Sequence, residues 1–403
     1  MTLGLNDTPS ADRVHIGFFG CRNAGKSSVV NAVTGQDLAV VSKTKGTTTD
    51  PVSKAMEILP LGPVVVIDTP GFDDAGDLGR LRVHKTRQVL GRTDLAVLVV
   101  DAAAGMKAAD RELLRLFREK KIPHLTVFNK SDLLPPGFAR IPGVLYVSAA
   151  RNEGIRELRE KLPPLLQNGG DEPRLIGDLL HPSDIVILVT PIDEAAPKGR
   201  LILPQQQAIR DVLDADAAAF VVKEDKVRET LENLKKKPAL VITDSQAFSQ
   251  VAAQTPREIP LTSFSILMAR CKGFLESAVK GVAAVERLKD GDTVLMAEGC
   301  THHRQCGDIG TVKLPGWLKR YTGKKLNIET SSGGGFPEDL SRYSLIIHCG
   351  GCMLRGREVK RRAECAAEQK IPMTNYGVTI AYLKGILKRS LGIFPDLLSE
   401  LEK

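Results

Sequence analysis

The stretch Gly20-Cys-Arg-Asn-Ala-Gly-Lys26-Ser27 decides how the first part of this chain folds. It matches a phosphate-binding loop, in which glycines let backbone N–H groups wrap a phosphate chain and a lysine neutralises its charge. An apolar run at residues 14–19 precedes the loop and a helical pattern at 26–34 follows it, as this mechanism requires. We therefore predict a nucleotide site, with Lys26 also at the catalytic centre, and with contacts from Asn23, Ala24, Gly25, Lys26, Ser27 and Ser28.

Two further motifs follow predicted strands at residues 64–68 and 124–128. In Asp68-Thr-Pro-Gly71, Asp68 can hold Mg²⁺ together with the P-loop Ser27, and the Gly71 N–H can meet the γ-phosphate. In Asn129-Lys-Ser-Asp132, the Asp132 carboxylate can accept two N–H bonds from guanine, a donor pair that adenine lacks. These motifs predict a guanine nucleotide as the ligand.

The remaining base contacts come from the same two loops. Asn129 can hydrogen-bond the base, and the aliphatic stem of Lys130 can pack on its face. Ser148-Ala149-Ala150 ends another predicted strand at residues 144–147, where a backbone N–H of Ser148 or Ala149 can reach guanine O6. Taken in order along the chain, the four motifs resemble the GTPase superfamily.

The branch of that superfamily is also indicated. Asn23 in the P-loop and the stretch Gly46-Thr-Thr-Thr-Asp50 resemble the Era and TrmE branch. The resemblance implies that a loop threonine, Thr48 in preference to Thr47, completes the Mg²⁺ shell and contributes to catalysis. It further implies that Asn23 helps to bind K⁺, so that K⁺ stimulates hydrolysis.

Phe72 stands directly after Gly71, where Ras-like enzymes carry the glutamine that orients the attacking water. We therefore expect slow intrinsic hydrolysis, unless Asp73, Asp74 or another group positions the water. A slow GTPase suits a switch better than a metabolic role.

Strand and helix patterns alternate along the whole chain, which predicts mainly parallel sheets. The expected fold is α/β: a doubly wound P-loop GTPase sheet followed by two smaller α/β domains. We predict a GTP-binding domain at residues 1–170, a small α/β module for contacts or self-association at 177–262 and a third α/β domain at 263–403. In the third domain, the pattern from 264 to 288 is helical with a break near Gly273, and strands are expected at 293–297, 326–329, 343–348 and 371–374.

Composition bounds the function classes. The chain is 42% hydrophobic and 26% charged, with a net charge of +8 that is spread over short basic clusters. Nucleic-acid binding is not expected, because it calls for a concentrated basic stripe. No apolar run approaches the roughly 18 residues of a membrane span, and the first residues lack a secretion signal. The expected location is therefore the cytoplasm, with no membrane contact.

The cysteines cluster late in the chain. Cys300-Thr-His302 follows one predicted strand and His348-Cys349-Gly-Gly-Cys352 follows another. Carboxyl ends of parallel strands meet at one sheet edge, so we expect the two groups to converge there. Thiolates suit zinc or an iron–sulfur centre, and the spacing alone does not decide between the two.

Cys-x-His, then His-Cys-x-x-Cys about 45 residues later, behind an Era-like GTPase domain, resembles the HydF family of di-iron hydrogenase maturation GTPases. The resemblance implies a 4Fe–4S cluster on Cys300, Cys349 and Cys352. It implies a scaffold or carrier for the di-iron subcluster precursor, which the radical maturases HydE and HydG build and the di-iron hydrogenase apoprotein receives. It also implies a homodimer through a dimerisation domain at residues 177–262, and an iron–sulfur cluster domain at residues 263–403.

The other metal-site candidates have open roles. His302 and His348 are each either an exchangeable cluster ligand or a hydrogen-bonded histidine outside the ligand set. Cys306 falls outside the family pattern, and we expect it not to bind the cluster. The remaining cysteines are expected to pack as small apolar groups, namely Cys21, Cys271 and Cys365.

Two alternative functions stay open at this point. One is an Era- or TrmE-like GTPase associated with the ribosome or with tRNA, carrying a structural zinc on the same cysteines. The other makes the C-terminal region a redox enzyme that uses GTP only for regulation.

Overall fold

The computed structural model describes residues 12–36, 51–59, 61–72, 86, 88–167, 174–192, 201–299 and 308–401 of the chain. The chain divides into two compact units, Met1–Glu172 and Pro173–Lys403. None of the helices in the described ranges is both long and apolar enough to cross a membrane.

The first unit is built on one six-stranded sheet with the order β2-β3-β1-β4-β5-β6. Its strands are β1 (Val14–Phe19), β2 (Val52–Ile58), β3 (Gly62–Asp68), β4 (Leu95–Asp101), β5 (His124–Asn129) and β6 (Leu145–Tyr146). Its helices are α1 (Lys26–Thr34), α2 (Ala108–Glu119) and α3 (Ile155–Gln167). Neighbouring strands are parallel except β2, which pairs antiparallel with β3.

The central strands of this sheet are buried on both faces. On β4, Val97 and Val99 belong to the apolar core on one face, while Leu98 and Val100 belong to the core on the other. Two-sided burial explains why these strands read as continuous apolar runs. Because the chain enters α1 directly from β1, the P-loop lies at the carboxyl edge of the sheet.

The second unit holds two four-stranded sheets, both entirely parallel. The first has the order β10-β9-β7-β8, from β7 (Ile185–Val189), β8 (Ala218–Val222), β9 (Leu240–Thr243) and β10 (Leu261–Ser263). The second has the order β12-β11-β13-β14, from β11 (Thr293–Ala297), β12 (Asn327–Ser331), β13 (Leu345–His348) and β14 (Met373–Asn375).

Helices lie between several of these strands and after the last one. They are α4 (Leu203–Leu213), α5 (Val227–Asn233), α6 (Phe248–Gln254), α7 (Phe264–Cys271), α8 (Leu275–Val282), α9 (Leu314–Thr322), α10 (Gly356–Glu368), α11 (Tyr376–Leu383), α12 (Leu387–Ser390) and α13 (Pro395–Leu401). Between α7 and α8, Gly273 has φ +72°, a conformation that favours glycine and produces the predicted helix break. The predicted fold class is confirmed: a P-loop GTPase sheet is followed by smaller α/β sheets that are parallel.

Candidate functional site

The Lys26 side chain holds the P-loop through hydrogen bonds to its backbone. The Lys26 ammonium is buried and donates to the carbonyl oxygens of Gly20 at 3.1 Å and Cys21 at 2.9 Å. Gly25 has φ +83°, and a Cβ at this position would lie 2.3 Å from Asn129 Nδ2. Only glycine fits there, because a side chain would be strained and would also collide with the base-recognition loop.

A divalent cation fits beside this loop. The Ser27 hydroxyl donates to Asp68 Oδ2 at 2.5 Å, while Asp68 Oδ1 is buried and has no hydrogen-bond partner among the described residues. Burial raises the pKa of Asp68, although the Ser27 hydrogen bond and the Lys26 charge act in the opposite direction. A buried carboxylate with an unpartnered oxygen, next to a hydroxyl, suits Mg²⁺. Thr48, the third predicted ligand, lies outside the described residues.

The Asp68–Gly71 turn lies against the P-loop. The Phe72 N–H donates to the Gly20 carbonyl at 3.3 Å, and a Cβ on Gly71 would come within 3.0 Å of the Arg22 backbone. The Phe72 side chain is buried in the core of the first unit and does not replace a water-orienting glutamine. Asp73 and Asp74 lie outside the described residues.

Asn129 joins two loops. Its Nδ2 donates to the Ala24 carbonyl at 3.0 Å, and its Oδ1 accepts the Ala149 N–H at 3.1 Å. The amide oxygen and one amide N–H thus connect the P-loop to the loop that carries Ala149. The predicted contact of Asn129 with the base stays a prediction.

The side chain of Ser148 orients Asp132, a contact that the motifs do not reveal. The Ser148 hydroxyl donates to Asp132 Oδ1 at 2.6 Å, and this hydrogen bond holds the pKa of the carboxyl below its usual range. The backbone N–H of Ser148 pairs with the Glu153 carbonyl at 3.0 Å. The Ser148 N–H is therefore engaged with Glu153, and its hydroxyl holds Asp132. That a backbone N–H of residues 148–150 reaches guanine O6 stays a prediction.

Lys130 is fixed by an ion pair that the spacing did not reveal. Its Nζ donates to Asp101 Oδ2 at 2.6 Å, across the carboxyl edge of the sheet. The Lys130 Cε lies 3.9 Å from the position of a Cβ on Gly25. The stem therefore runs beside the P-loop, where it can pack on a bound base. A cavity of 650 Å³ adjoins these residues and is also lined by Ser28, Asp132 and Ala149.

Replacing Ser148 with alanine should lower GTP affinity about tenfold, because Asp132 loses the hydrogen bond that orients it. Titration with a fluorescent GTP analogue measures this change. Ser131, in the same loop as Asp132, offers a matched control, and Ser131→Ala should bind GTP nearly as the parent chain does. Equal affinity for GTP in Ser148→Ala and the parent chain would show that the hydroxyl is dispensable.

The second predicted site lies where β11 and β13 end. These strands are parallel neighbours in which Ala297 pairs with His348, and the Cys349 N–H donates to the Ala297 carbonyl at 2.9 Å. The Gly299 N–H donates to Cys349 Sγ at 3.1 Å. The structure thus brings the segment that leads into Cys300 onto the cysteine turn. Cys300 itself, His302 and Cys306 lie outside the described residues.

Cys349 and Cys352 share one tight turn. Gly351 has φ +66° and donates its N–H to Cys349 Sγ at 3.3 Å. Burial raises the pKa of the Cys349 thiol, and the N–H bonds from Gly299 and Gly351 oppose that effect. Once the sulfur is a thiolate, the two N–H donors offset part of the cost of burying it, so the described cysteines fit a thiolate metal centre, either iron–sulfur or zinc. Within the described ranges, no three potential metal ligands come together.

His348 is fully buried, and both of its ring nitrogens are engaged. Nδ1 lies 2.7 Å from the Cys349 carbonyl oxygen and Nε2 lies 3.2 Å from Arg362 Nη1. Burial, with a smaller contribution from the Arg362 charge, lowers the pKa of His348 to about 4. Of the two roles left open by the sequence, the structure favours the hydrogen-bonded one. A cluster-ligand role for His348 disagrees with this geometry, because neither nitrogen offers a lone pair. Arg362 carries no motif that marks it as part of this site.

The scattered cysteines pack as expected. Cys21 is buried, and Cys271 and Cys365 contact the core of the second unit.

Relatives of the first unit are GTPases. Residues 15–130 match the family model "50S ribosome-binding GTPase". The tRNA modification GTPase MnmE of Synechococcus sp. (strain JA-3-3Ab) is 37% identical over 171 residues, which cover 40% of this chain and 36% of that protein. The GTPase Der of Kosmotoga olearia is 32% identical over 170 residues, covering 38% of each chain. The chain thus spans little more than a third of the length of these curated relatives.

Among solved structures, the chain is similar to Aquifex aeolicus Era bound to GDP.AlF4-. The sequences are 18% identical over 60% of this chain and 97% of that one, with a TM-score of 0.35.

The second unit matches two adjacent family models. Residues 175–273 match the hydrogen maturase F dimerization domain, and residues 276–393 match the hydrogen maturase F tetramerization domain. Together these matches cover more than half of the chain, behind a GTPase domain with its GTP and Mg²⁺ motifs in place. The chain therefore belongs to the hydrogen maturase F family, and it carries that family's GTPase and oligomerization domains.

Proposed function

We propose that this chain is a GTP-hydrolysing scaffold that binds a 4Fe–4S cluster and delivers the di-iron subcluster precursor to apo di-iron hydrogenase. One observation carries the cluster assignment: the Gly299 N–H bonds Cys349 Sγ at 3.1 Å. Since Gly299 directly precedes Cys300, this contact supports a site that gathers sulfurs from two distant chain segments.

Cys300, Cys349 and Cys352 would hold the cluster. Three thiolates leave one iron of a 4Fe–4S cluster without a cysteine ligand, and that iron supplies an open position for attaching cargo. A zinc site would instead close with four ligands. His302 is the candidate for an exchangeable ligand at that position, since His348 is engaged elsewhere. In this proposal the cluster domain spans residues 263–403.

The GTPase domain, residues 1–170, acts as a slow switch. The turn at Gly71 lies on the P-loop, so the loss of a γ-phosphate changes what its N–H can bind. Thr48 would report on the same phosphate through Mg²⁺. Through such contacts GTP hydrolysis would control exchange between HydE, HydG and the hydrogenase apoprotein in the cytoplasm.

A homodimer would form through the middle domain, residues 177–262. Strand β8 lies at the edge of its sheet in the described topology and exposes Phe220 and Val221, at 41% and 43%. An exposed apolar edge strand offers unpaired backbone groups to a second copy of the same strand.

The alternative of a tRNA- or ribosome-associated GTPase with structural zinc has less support. The GTPase relatives cover 40% and 38% of this chain, whereas the maturase models match residues 175–273 and 276–393. Iron in anaerobically purified protein favours the scaffold. Colourless protein that carries zinc and binds RNA in a salt-sensitive manner favours the alternative.

Potassium should stimulate GTP hydrolysis, because Asn23 occupies the P-loop position that implies a K⁺ site and no glutamine follows Gly71. The measurement compares phosphate release in KCl and NaCl at equal ionic strength. Asn23→Ala should hydrolyse GTP at the same rate in both salts. Equal rates for the parent chain in the two salts would rule out K⁺ activation.

Transfer of the precursor tests the whole function. The chain is loaded anaerobically in the presence of HydE and HydG, freed of small molecules, and mixed with apo-hydrogenase, and hydrogen evolution is then assayed. The parent chain and the control Cys365→Ala should activate the hydrogenase, whereas Cys300→Ala should not. Activation by Cys300→Ala equal to that by the parent chain would contradict the proposal.

A further inference from the structure

The largest fully buried side chain of the described residues is that of Arg362 on α10, which is 1% exposed. A buried guanidinium is costly unless its N–H groups find acceptors. Its Nε donates to Glu358 Oε1 at 2.9 Å, Nη2 donates to the Gly333 carbonyl at 2.5 Å, and Nη1 lies 3.2 Å from His348 Nε2. The guanidinium also stacks on Phe336, 5.1 Å from the ring centre. Arg362 thus ties three chain segments together at the end of β13.

The chemistry of arginine fixes the tautomer of His348. A guanidinium only donates, so His348 Nε2 must be the acceptor and the ring proton must sit on Nδ1. That proton is donated to the Cys349 carbonyl at 2.7 Å. A directed relay therefore runs from Arg362 through His348 to the backbone of the cysteine turn.

Among the described residues, every polar atom of Cys349 has a hydrogen-bond partner, and the partner of its carbonyl is the His348 side chain of the relay. Its N–H bonds the Ala297 carbonyl, and its sulfur accepts N–H bonds from Gly299 and Gly351. Its carbonyl is held by His348. Rotation of this peptide would move the sulfur away from both N–H donors, so the carbonyl contact helps to set where the sulfur lies.

We propose that Arg362 is a positioning residue for the cysteine turn, acting through the Nδ1–H tautomer of His348. It also places a fixed positive charge two hydrogen bonds away from Cys349, whose sulfur becomes anionic when it binds iron. The second role rests on the proposed function, whereas the first concerns the metal-free chain as well. While the Arg362 bond persists, His348 holds the turn from outside the ligand set.

Thiol reactivity in the metal-free full-length chain tests the positioning role. Cys349 alkylation by iodoacetamide is followed by mass spectrometry of its peptide, with folding checked by circular dichroism. Arg362→Gln should raise the Cys349 rate about tenfold, the effect of losing one charge-assisted hydrogen bond. The matched control is Arg361→Gln, because Arg361 pairs with the same Glu358 at 2.8 Å and, among the described residues, does not bond to His348. It should leave the rate near that of the parent chain.

Two further variants keep the test decisive. Arg362→Lys retains the charge but loses the planar fork, so it should also speed alkylation, and it replaces Arg362→Gln if that variant does not fold. Combining Arg362→Gln with His348→Phe should alkylate no faster than His348→Phe alone, because both changes break one relay. A folded Arg362→Lys chain that alkylates at the parent rate would overturn the positioning role, because the charge is unchanged in that variant.

Redox titration of the iron-loaded chain, followed by electron paramagnetic resonance, tests the charge role. Arg362→Gln should shift the cluster potential to more negative values, because the variant lacks the cation that stabilises the negative charge added on reduction. Arg362→Lys keeps the cation and should stay near the parent potential. An unshifted potential in Arg362→Gln overturns the charge role. Failure of the parent chain to load iron would instead overturn the proposed function, and the alkylation result would still stand.

Discussion

Replacing Lys26 with alanine should lower GTP hydrolysis about 10³-fold or more, because the ammonium is the P-loop charge that neutralises the β- and γ-phosphates. Lys26 is the P-loop side chain that reaches the Gly20 and Cys21 carbonyls, so it is already aimed into the loop. Phosphate release under saturating GTP measures the loss. Iron loading should be unchanged, because the cysteine turn belongs to the other compact unit.

The control for this variant is Lys161→Ala, which removes a surface ion pair with Glu157 on α3 and should leave hydrolysis intact. Thermal unfolding of the first unit separates a catalytic loss from a folding loss. Hydrolysis in Lys26→Ala within a few-fold of the parent rate would show that another cation neutralises the phosphates.

Replacing Asp132 with asparagine should lower GTP affinity by about 10³-fold or more, and should make XTP the preferred nucleotide. The carboxylate accepts two N–H groups of guanine, whereas an amide presents a donor where guanine also has one. Xanthine carries an oxygen at that position and restores the match. Competition between GTP and XTP for the nucleotide site measures this change in base specificity.

The Ser148 hydroxyl strengthens this expectation, because it holds one Asp132 oxygen at 2.6 Å and so fixes the plane of the carboxylate. Asp94→Asn, which changes a carboxylate near β1 that accepts the His15 N–H, serves as a control with unchanged specificity. Retention of tight GTP binding in Asp132→Asn, with no gain for XTP, would place guanine recognition elsewhere.

The strands that the sequence pattern predicts are those buried on both faces. Strands β1, β4 and β7 form nearly continuous apolar runs, because their successive side chains do not alternate between the core and solvent. Strand β2 was not predicted. Its side chains, among them Ser53, Lys54 and Glu57, are mostly exposed at the sheet edge, and it is recruited only by antiparallel pairing with β3. Such pairing depends on a distant partner that local pattern does not encode.

The residues of the candidate site likewise divide into those that the sequence predicts and those that only the fold reveals. Motif residues such as Lys26, Asp68 and Asp132 were identified because fixed spacing places them at strand ends. The contacts that orient them were not, since Ser148 reaches Asp132 and Asp101 reaches Lys130 across loops that only the folded sheet brings together. Arg362 was missed for a further reason: a buried arginine on an otherwise polar helix has the sequence signature of an exposed one.

Iron and acid-labile sulfide per chain, measured after anaerobic reconstitution, test most directly whether separate segments build one cluster on a GTPase chain. About four irons and four sulfides are expected for the parent chain and for the control Cys271→Ala. Cys300→Ala, Cys349→Ala and Cys352→Ala should each lose them while still binding GTP. Full iron in Cys300→Ala, or zinc in place of iron in the parent chain, would contradict a shared iron site.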